Sequence, residues 1–163
     1  MKNNQNIFSD LDKDIGINKS IGIVRALWNS DITTRLYNGC LDTLIDYGVQ
    51  KENIRTLEVP GSFELAYGAK HLINNPSWEK GELNEYRTKY KNISDKTLDA
   101  IIMIGSIIKG ETPHFDFIST ATTNAIMKLS IDNTKPIGNG IITCLNLKQA
   151  MARGKKVKRQ LRQ

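Results

Sequence analysis

The sequence predicts an α/β fold, a three-layer sandwich in which a four-stranded parallel sheet carries helices on both faces. Strand-like and helix-like segments alternate four times, which is typical of parallel sheets joined by right-handed crossovers. Residues 99–105 are almost continuously apolar, as in a strand that is buried on both faces. The length of 163 residues, with 39% hydrophobic and 25% charged residues, suits one globular domain, which we place at residues 20–153.

The first strand and helix follow a polar segment, residues 1–19, that is predicted to be a flexible arm. Residues 21–27 predict the first strand. Asp31 or Thr33 is expected to cap the next helix, which Gly48 ends. The apolar positions of this helix recur at intervals of three and four: Leu36, Cys40, Leu41, Leu44 and Ile45.

The second strand and helix are separated by a tight turn. Residues 54–59 predict the strand, Pro60 and Gly61 stop it, and Ser62 is expected to cap the helix. The apolar side of that helix is Phe63, Ala66, Tyr67, Leu72 and Ile73. Residues 74–97 are polar and turn-rich, and they predict a surface insertion with a short helix near residues 82–90.

The third and fourth units complete the domain. A loop at residues 105–115 follows the third strand, and a helix is predicted from Asp116. The apolar stripe of this helix is Ile118, Ala121, Ala125, Ile126 and Leu129. Residues 136–143 predict the fourth strand and residues 146–160 the last helix, and residues 154–163, which overlap the end of that helix, form a short basic tail.

Composition and charge exclude several classes of function. The net charge is +6, from 23 Lys and Arg against 17 Asp and Glu, but six of the basic residues lie in residues 153–163, so the remaining chain is neutral. A broad nucleic-acid-binding surface is therefore not expected. No apolar run is long enough to span a membrane and no signal peptide is visible, so we expect a cytoplasmic protein. Cys40 and Cys144 lack metal-ligand spacing and are expected to be reduced thiols, not a zinc site.

Ligands of parallel sheets bind beyond the carboxyl ends of the strands, here at residues 28–32, 60–64, 105–115 and 143–146. The first loop carries Trp28 beside Asn29, the second Glu64, and the third His114. Each also has a simpler explanation: Trp28 covers a strand end, Glu64 complements a helix dipole, and His114 is a solvated loop residue. The glycines and the neighbouring Lys and Thr of its loop favour a functional His114.

The loop at residues 105–115 also suits an anion. Gly105 and Gly110 allow close approach of the backbone to a ligand, and backbone N–H groups near Glu111 and Thr112 lead into a helix, an arrangement that binds phosphate. The GxxxxGK[ST] and GxGxxG patterns of nucleotide-binding loops are absent from the sequence.

Four motifs, each at a predicted strand end, together resemble the lumazine synthase family. GSIIKGETPHFD at residues 105–116 resembles the family's signature loop, and VPGSFEL at residues 59–65 its VPGAFEL turn. Trp28-Asn29 is similar to the aromatic–Asn pair after its first strand. PIGNGIIT at residues 136–143, with Gln149, Ala150 and Arg153, is similar to its last strand and helix start. The resemblance covers residues 20–153 apart from the insertion and implies a flavodoxin-like fold.

The resemblance implies an enzyme of riboflavin biosynthesis. The family, 6,7-dimethyl-8-ribityllumazine synthase, is a transferase that condenses 5-amino-6-(D-ribitylamino)uracil with 3,4-dihydroxy-2-butanone 4-phosphate and releases phosphate. It needs no metal and no organic cofactor. Members form pentamers, and some form shells, with active sites between adjacent subunits. Small molecules and further copies of the chain are therefore the expected partners, with riboflavin synthase a candidate and neither nucleic acid nor membrane expected.

The resemblance also implies residue roles. His114 would transfer protons, since a histidine can donate and accept near neutral pH. Glu111, Thr112 and, from a neighbouring subunit, Arg153 would bind the phosphate. The pyrimidine and ribityl groups would be bound by Trp28, Asn29, Ser62, Phe63, Glu64, Ser106, Ile107, Ile108 and Asn139. Asn139 stands where many members carry a Phe.

Three other functions remain open at this point. A non-catalytic relative could bind flavin or lumazine; the presence of His114 and Arg153 argues against it. The missing phosphate-loop patterns argue against a flavodoxin-like nucleotide-binding domain. An RNA-binding protein that uses its basic tail would lose a salt-dependent affinity when residues 154–163 are deleted.

Overall fold

The structure, a computed structural model, describes residues 11–75 and 97–156. The strands are β1 (Ile21–Ala26), β2 (Ile54–Val59), β3 (Ala100–Ile108) and β4 (Ile137–Cys144). The helices are α1 (Ser30–Asp46), α2 (Leu65–Asn74), α3 (His114–Asp132) and α4 (Leu147–Lys156). The four strands pair in parallel in the order β2-β1-β3-β4, which confirms the predicted fold class.

The core lies in two layers, one on each face of the sheet. Leu65 and Leu72 of α2 and Ile126 of α3 pack on one face. Ile32 of α1 and Ala150 of α4 pack on the other. The strands supply both layers because alternate residues point to opposite faces.

The strand order fixes where a ligand can bind. From β1 the chain crosses to β2 on one side, and from β3 it crosses to β4 on the other. The loops that leave the carboxyl ends of β1 and β3 therefore diverge, and in open α/β sheets a crevice forms at this point.

The predicted helix caps were wrong. Asn29, and not Asp31 or Thr33, precedes α1, and it makes no side-chain capping bond. Ser62 does not cap α2, because residues Ser62–Glu64 form a separate 3-10 turn in which the Gly61 N–H donates to Glu64 Oε2 at 2.8 Å. Gly48 does follow α1 with a positive φ of 91°, as expected of a residue at a helix end.

Some predicted apolar stripes were also wrong in part. Ile45, Phe63, Tyr67, Ala121 and Ala125 are exposed. On α3 the buried residues are Thr122, Ile126 and Leu129, and the helix begins at His114, two residues before the predicted start. Its inner face includes a threonine whose hydroxyl donates to the Ser62 carbonyl.

The third strand is longer than predicted. It continues through Ser106, Ile107 and Ile108, which had been assigned to a loop, because pairing with β4 continues as far as Ile108 opposite Cys144. The carboxyl end of β3 thus forms part of the cleft wall.

Parts of several predictions lie outside the described residues: most of the insertion at 74–97 with its short helix, the end of the basic tail, and residues 1–10 of the N-terminal arm. Within the arm, residues 11–19 make turns, and the buried Gly16 donates its N–H to the Tyr47 carbonyl at 2.8 Å. None of the helices in the described ranges is long and apolar enough to cross a membrane.

Candidate active site

A cleft of about 710 Å³ opens at the carboxyl ends of β1, β2 and β3. Three of the four loops expected to bind a ligand contribute to its walls. The lining residues are Trp28, Asn29, Pro60, Gly61, Ser62, Phe63, Glu64, Ser106, Ile107, Ile108, Gly110, Thr112, His114, Phe115 and Ile118. The lining combines apolar surface with a few polar groups, as is typical of sites for small molecules.

The first wall is the end of β1. Trp28 is 72% exposed although it is a large aromatic residue, so its ring does not simply cover a strand end. Its backbone N–H donates to the Pro60 carbonyl at 2.9 Å, which joins this loop to the turn after β2. The backbone of Trp28 is therefore held in place, and its exposed indole lines the cleft.

The second wall is the turn after β2. Glu64 Oε2 accepts the Gly61 N–H at 2.8 Å, which fixes one oxygen of the carboxylate. Ser62 is buried, and its carbonyl accepts a hydrogen bond from Thr122 Oγ1 at 3.4 Å. The helix that begins with His114 is thereby attached to this turn.

The third wall is the end of β3 and the start of α3. Gly110 and Thr112 line the cleft, and His114 is the first residue of α3, with its side chain exposed. A helix N-terminus offers unpaired N–H groups and the positive end of the helix dipole. This wall can therefore hold an anion next to the imidazole of His114.

Gly105 has a different role from the one predicted. It does not line the cleft, and a Cβ at this position would lie 2.7 Å from Ser62 Oγ and 2.9 Å from Leu65 Cδ1. The absence of a side chain at Gly105 therefore lets the turn after β2 pack against β3. At Gly110 a Cβ would have no atom within 4 Å, so the backbone there is accessible, as expected.

Three predicted site residues do not line the cleft. Glu111 is exposed on the third loop but is not among the lining residues. Asn139 lies in the middle of β4, opposite Met103, and its Oδ1 accepts the N–H of Ile141 at 3.1 Å. Arg153 is exposed on α4, which packs on the α1 side of the sheet.

Residues 18–161 match the family model described as 6,7-dimethyl-8-ribityllumazine synthase. The chain is similar to proteins of that name. It is 39% identical to the one from Christiangramia forsetii, over 81% of this chain and 67% of the relative. It is 37% identical to the one from Parabacteroides distasonis, over 80% of this chain and 69% of the relative. The identity to the one from Campylobacter jejuni is 35%, over 83% of this chain and 75% of the relative.

This chain belongs to the 6,7-dimethyl-8-ribityllumazine synthase family. Membership confirms the family, the fold and the enzyme class that the motifs predicted, a transferase of riboflavin biosynthesis.

Two residues that line the cleft of this lumazine synthase family member are not predicted as site residues from the sequence. Phe115 had no separate assignment, and Ile118 had been assigned to the apolar stripe of α3; both are half-buried in the cleft wall. Phe115 lies in the first turn of α3 and Ile118 in the next, so this end of the helix borders the cleft. The signature motif could have indicated Phe115 as a site residue, since it directly follows His114 in that motif.

The described residues contain no group of three or more His, Cys, Asp or Glu side chains that could hold a metal ion. Cys40 and Cys144 are both free thiols. Burial raises the pKa of the Cys40 thiol to about 11, so this thiol is a poor nucleophile and metal ligand at neutral pH.

Proposed function

We propose that this chain condenses 5-amino-6-(D-ribitylamino)uracil with 3,4-dihydroxy-2-butanone 4-phosphate to form 6,7-dimethyl-8-ribityllumazine. The supporting observation is that one cleft contains Trp28, Glu64, Thr112 and His114, which come from three separate loops. An aromatic face, a hydroxyl-binding carboxylate, a phosphate-binding helix start and a proton donor are the groups that these two substrates require.

We assign the pyrimidine to the side of the cleft between Trp28 and the end of β3. The exposed indole would stack on the ring, and the backbone of Ile107 and Ile108 would contact its edge. The ribityl chain would extend over the turn after β2, where Glu64 has one oxygen bound to the Gly61 N–H and a second that can accept hydrogen bonds from hydroxyl groups. Ser62, Phe63 and Ser106 would complete this half of the site, and Asn29 would support it through its hydrogen bond to the Ser106 carbonyl.

The phosphate belongs at the N-terminus of α3. Thr112 can contribute its N–H and its hydroxyl, and Glu111 its N–H, at the positive end of the helix dipole. Arg153 would add a bidentate ion pair from a neighbouring subunit, since in its own chain it lies outside the cleft lining.

His114 would move the protons of each step. The 5-amino nitrogen adds to the ketone carbonyl and the resulting carbinolamine loses water to give an imine. Elimination then breaks the C–O bond to phosphate, and the ribitylamino nitrogen closes the second ring with loss of a further water. Every step transfers a proton to or from nitrogen, carbon or oxygen, and His114 lies beside the expected phosphate position. Holding both substrates together would supply much of the remaining acceleration.

Self-association through the neighbouring subunit that supplies Arg153, a cytoplasmic location and an association with riboflavin synthase remain parts of the proposal. Asn139 would reach a ring only in an adjacent subunit, because in its own chain it lies on the open edge strand β4.

The test of the function is a balance of products. Purified protein mixed with both substrates should form lumazine, which is detected by its absorbance. One phosphate should be released for each lumazine formed. A protein that binds the ribitylaminouracil but releases no phosphate would be the non-catalytic relative. Lumazine formation without the phosphate release would indicate a different second substrate.

A further inference from the structure

Asn29 adopts a left-handed backbone conformation at the end of β1, with φ 58° and ψ 44°. Of the described residues other than glycine, only Asn18 shares a positive φ. The conformation turns the chain from β1 into α1, and the Asn29 carbonyl accepts the N–H groups of Ile32 and Thr33. Such a conformation persists only where the surrounding structure holds it, and it is concentrated at functional sites.

The side chain of Asn29 does not cap the helix that it precedes, although Asn is among the best capping residues. Its Nδ2 donates instead to the Ser106 carbonyl at 2.9 Å, across the cleft end of the sheet. The asparagine amide therefore links the segment after β1 to the end of β3, and not two residues of one helix.

The Ser106 carbonyl needs this donor. The register between β1 and β3 ends at Arg25 opposite Ile104, whereas β3 continues to Ile108 along β4. Ser106 is 2% exposed, and its carbonyl lies on the β1 side, where no further β1 residue pairs with it. A buried carbonyl requires a hydrogen-bond donor, and the Asn29 amide replaces the missing strand.

The residue before Asn29 makes the complementary link. The Trp28 N–H donates to the Pro60 carbonyl at 2.9 Å, so residues 28 and 29 together join the ends of β1, β2 and β3. Beyond Arg25 and Ile104, where the pairing of β1 with β3 ends, the Asn29–Ser106 hydrogen bond links the segment that carries Trp28 to the β3 edge.

We propose that Asn29 is a positioning residue, which holds the Ser106–Ile108 edge at the correct distance from the Trp28 face for a planar pyrimidine to fit between them. The proposal rests on the proposed function for the identity of that ligand. Loss of the Asn29–Ser106 hydrogen bond should affect only the pyrimidine half of the site. The phosphate half is built on α3, which takes no part in this hydrogen bond.

Two substitutions test this. Asn29→Gly keeps the left-handed backbone but removes the amide, and Asn29→Asp keeps the size but places a carboxylate oxygen against the Ser106 carbonyl. Each should raise the KM for the ribitylaminouracil roughly 3- to 10-fold, the effect of one hydrogen bond. The KM for the butanone phosphate and kcat should stay within about twofold of wild type. Asn18→Gly, the same change in the same conformation at an exposed turn, is the control and should match wild type.

Amide hydrogen exchange gives a readout that needs no activity. Backbone amides of residues 106–109 should exchange faster in both Asn29 variants and at the wild-type rate in Asn18→Gly. Unchanged exchange and unchanged KM in folded Asn29 variants would overturn the proposal, as would an equal rise in both KM values or a loss confined to kcat. If the wild-type protein makes no lumazine, the proposed function fails, and exchange alone then decides whether Asn29 holds the β3 edge.

Discussion

At the residue scale, the exposed indole of Trp28 is available to stack on a ligand. A large aromatic side chain that is 72% exposed beside a cleft leaves apolar surface in contact with water. Trp28→Ala should raise the KM for the ribitylaminouracil by about 10-fold or more, since stacking on an aromatic ring stabilises a base by ~1–3 kcal/mol. Trp28→Phe keeps a stacking face and should lose less. Equal KM values for the Ala variant and the wild type would show that the indole does not contact the ring.

Cys40 provides a pH-dependent prediction at the same scale. Its pKa is raised from 9.0 to about 11 because burial disfavours the thiolate. The contribution of this group to stability is therefore complete below pH 9 and is lost as the pH rises towards 11.

At pH 8 only about one Cys40 thiol in a thousand is ionised in the folded protein, so alkylation should be slow until urea unfolds the chain. Cys144, which is 3% exposed, should also react only after unfolding. Rapid labelling of one thiol per folded chain at pH 8 would contradict the raised pKa of the half-buried Cys40 or the buried position of Cys144.

At the scale of elements, Gly105 controls how the turn after β2 packs against β3. An added Cβ would lie 2.7 Å from Ser62 Oγ, a distance that real Cβ contacts do not show. Gly105→Ala should lower the free energy of unfolding by ~1–3 kcal/mol, as overpacking of a filled core does. Urea unfolding measures this. Gly138→Ala is the matched control on β4: its Cβ would lie 3.4 Å from Ile102, so this substitution should cost less stability. If both substitutions lowered the free energy of unfolding equally, the close contact with Ser62 would have no measurable cost.

The sequence predicted the strands better than the helix ends. All four strands were located in the sequence, but only β3 as a nearly continuous apolar run, which is what burial on both faces leaves. β4 is an edge strand with several exposed residues. The caps of α1 and α2 were wrong because Asn29 uses its amide for Ser106, and because Glu64 accepts the Gly61 N–H. The first bond joins residues 77 positions apart, which local sequence preferences do not contain, whereas the second is a local contact between residues three positions apart.

In the candidate site, too, the sequence predicted some features and missed others. The motifs placed His114, Thr112 and Glu64 in one cleft, because parallel topology brings the carboxyl ends of the strands together. They did not predict that Gly105 packs against Ser62, since this contact joins residues 43 positions apart and depends on how α2 sits on the sheet.

At the scale of the whole molecule, the position of Arg153 outside its own cleft predicts that complete sites need two chains. His114→Ala and Arg153→Ala should each be severely impaired. Assemblies formed by refolding the two variants together should regain activity, because about a quarter of randomly formed interfaces combine an intact His114 with an intact Arg153.

The control for this experiment is the same two variants mixed after folding, where subunits have not exchanged. No recovery in co-refolded assemblies of normal size would show that both residues act in one chain, or that Arg153 does not contribute.

The measurement that tests the central claim most directly is the kcat/KM for lumazine formation by wild type and His114→Ala, on assemblies of equal size. We predict turnover by the wild type and a loss of roughly 10²–10⁴-fold in the variant, the usual contribution of a general acid–base group, with residual activity from holding both substrates. His71→Gln, at the other histidine, on α2, should match wild type. Wild-type kcat/KM in His114→Ala, or no turnover by the folded wild-type assembly, would contradict the account.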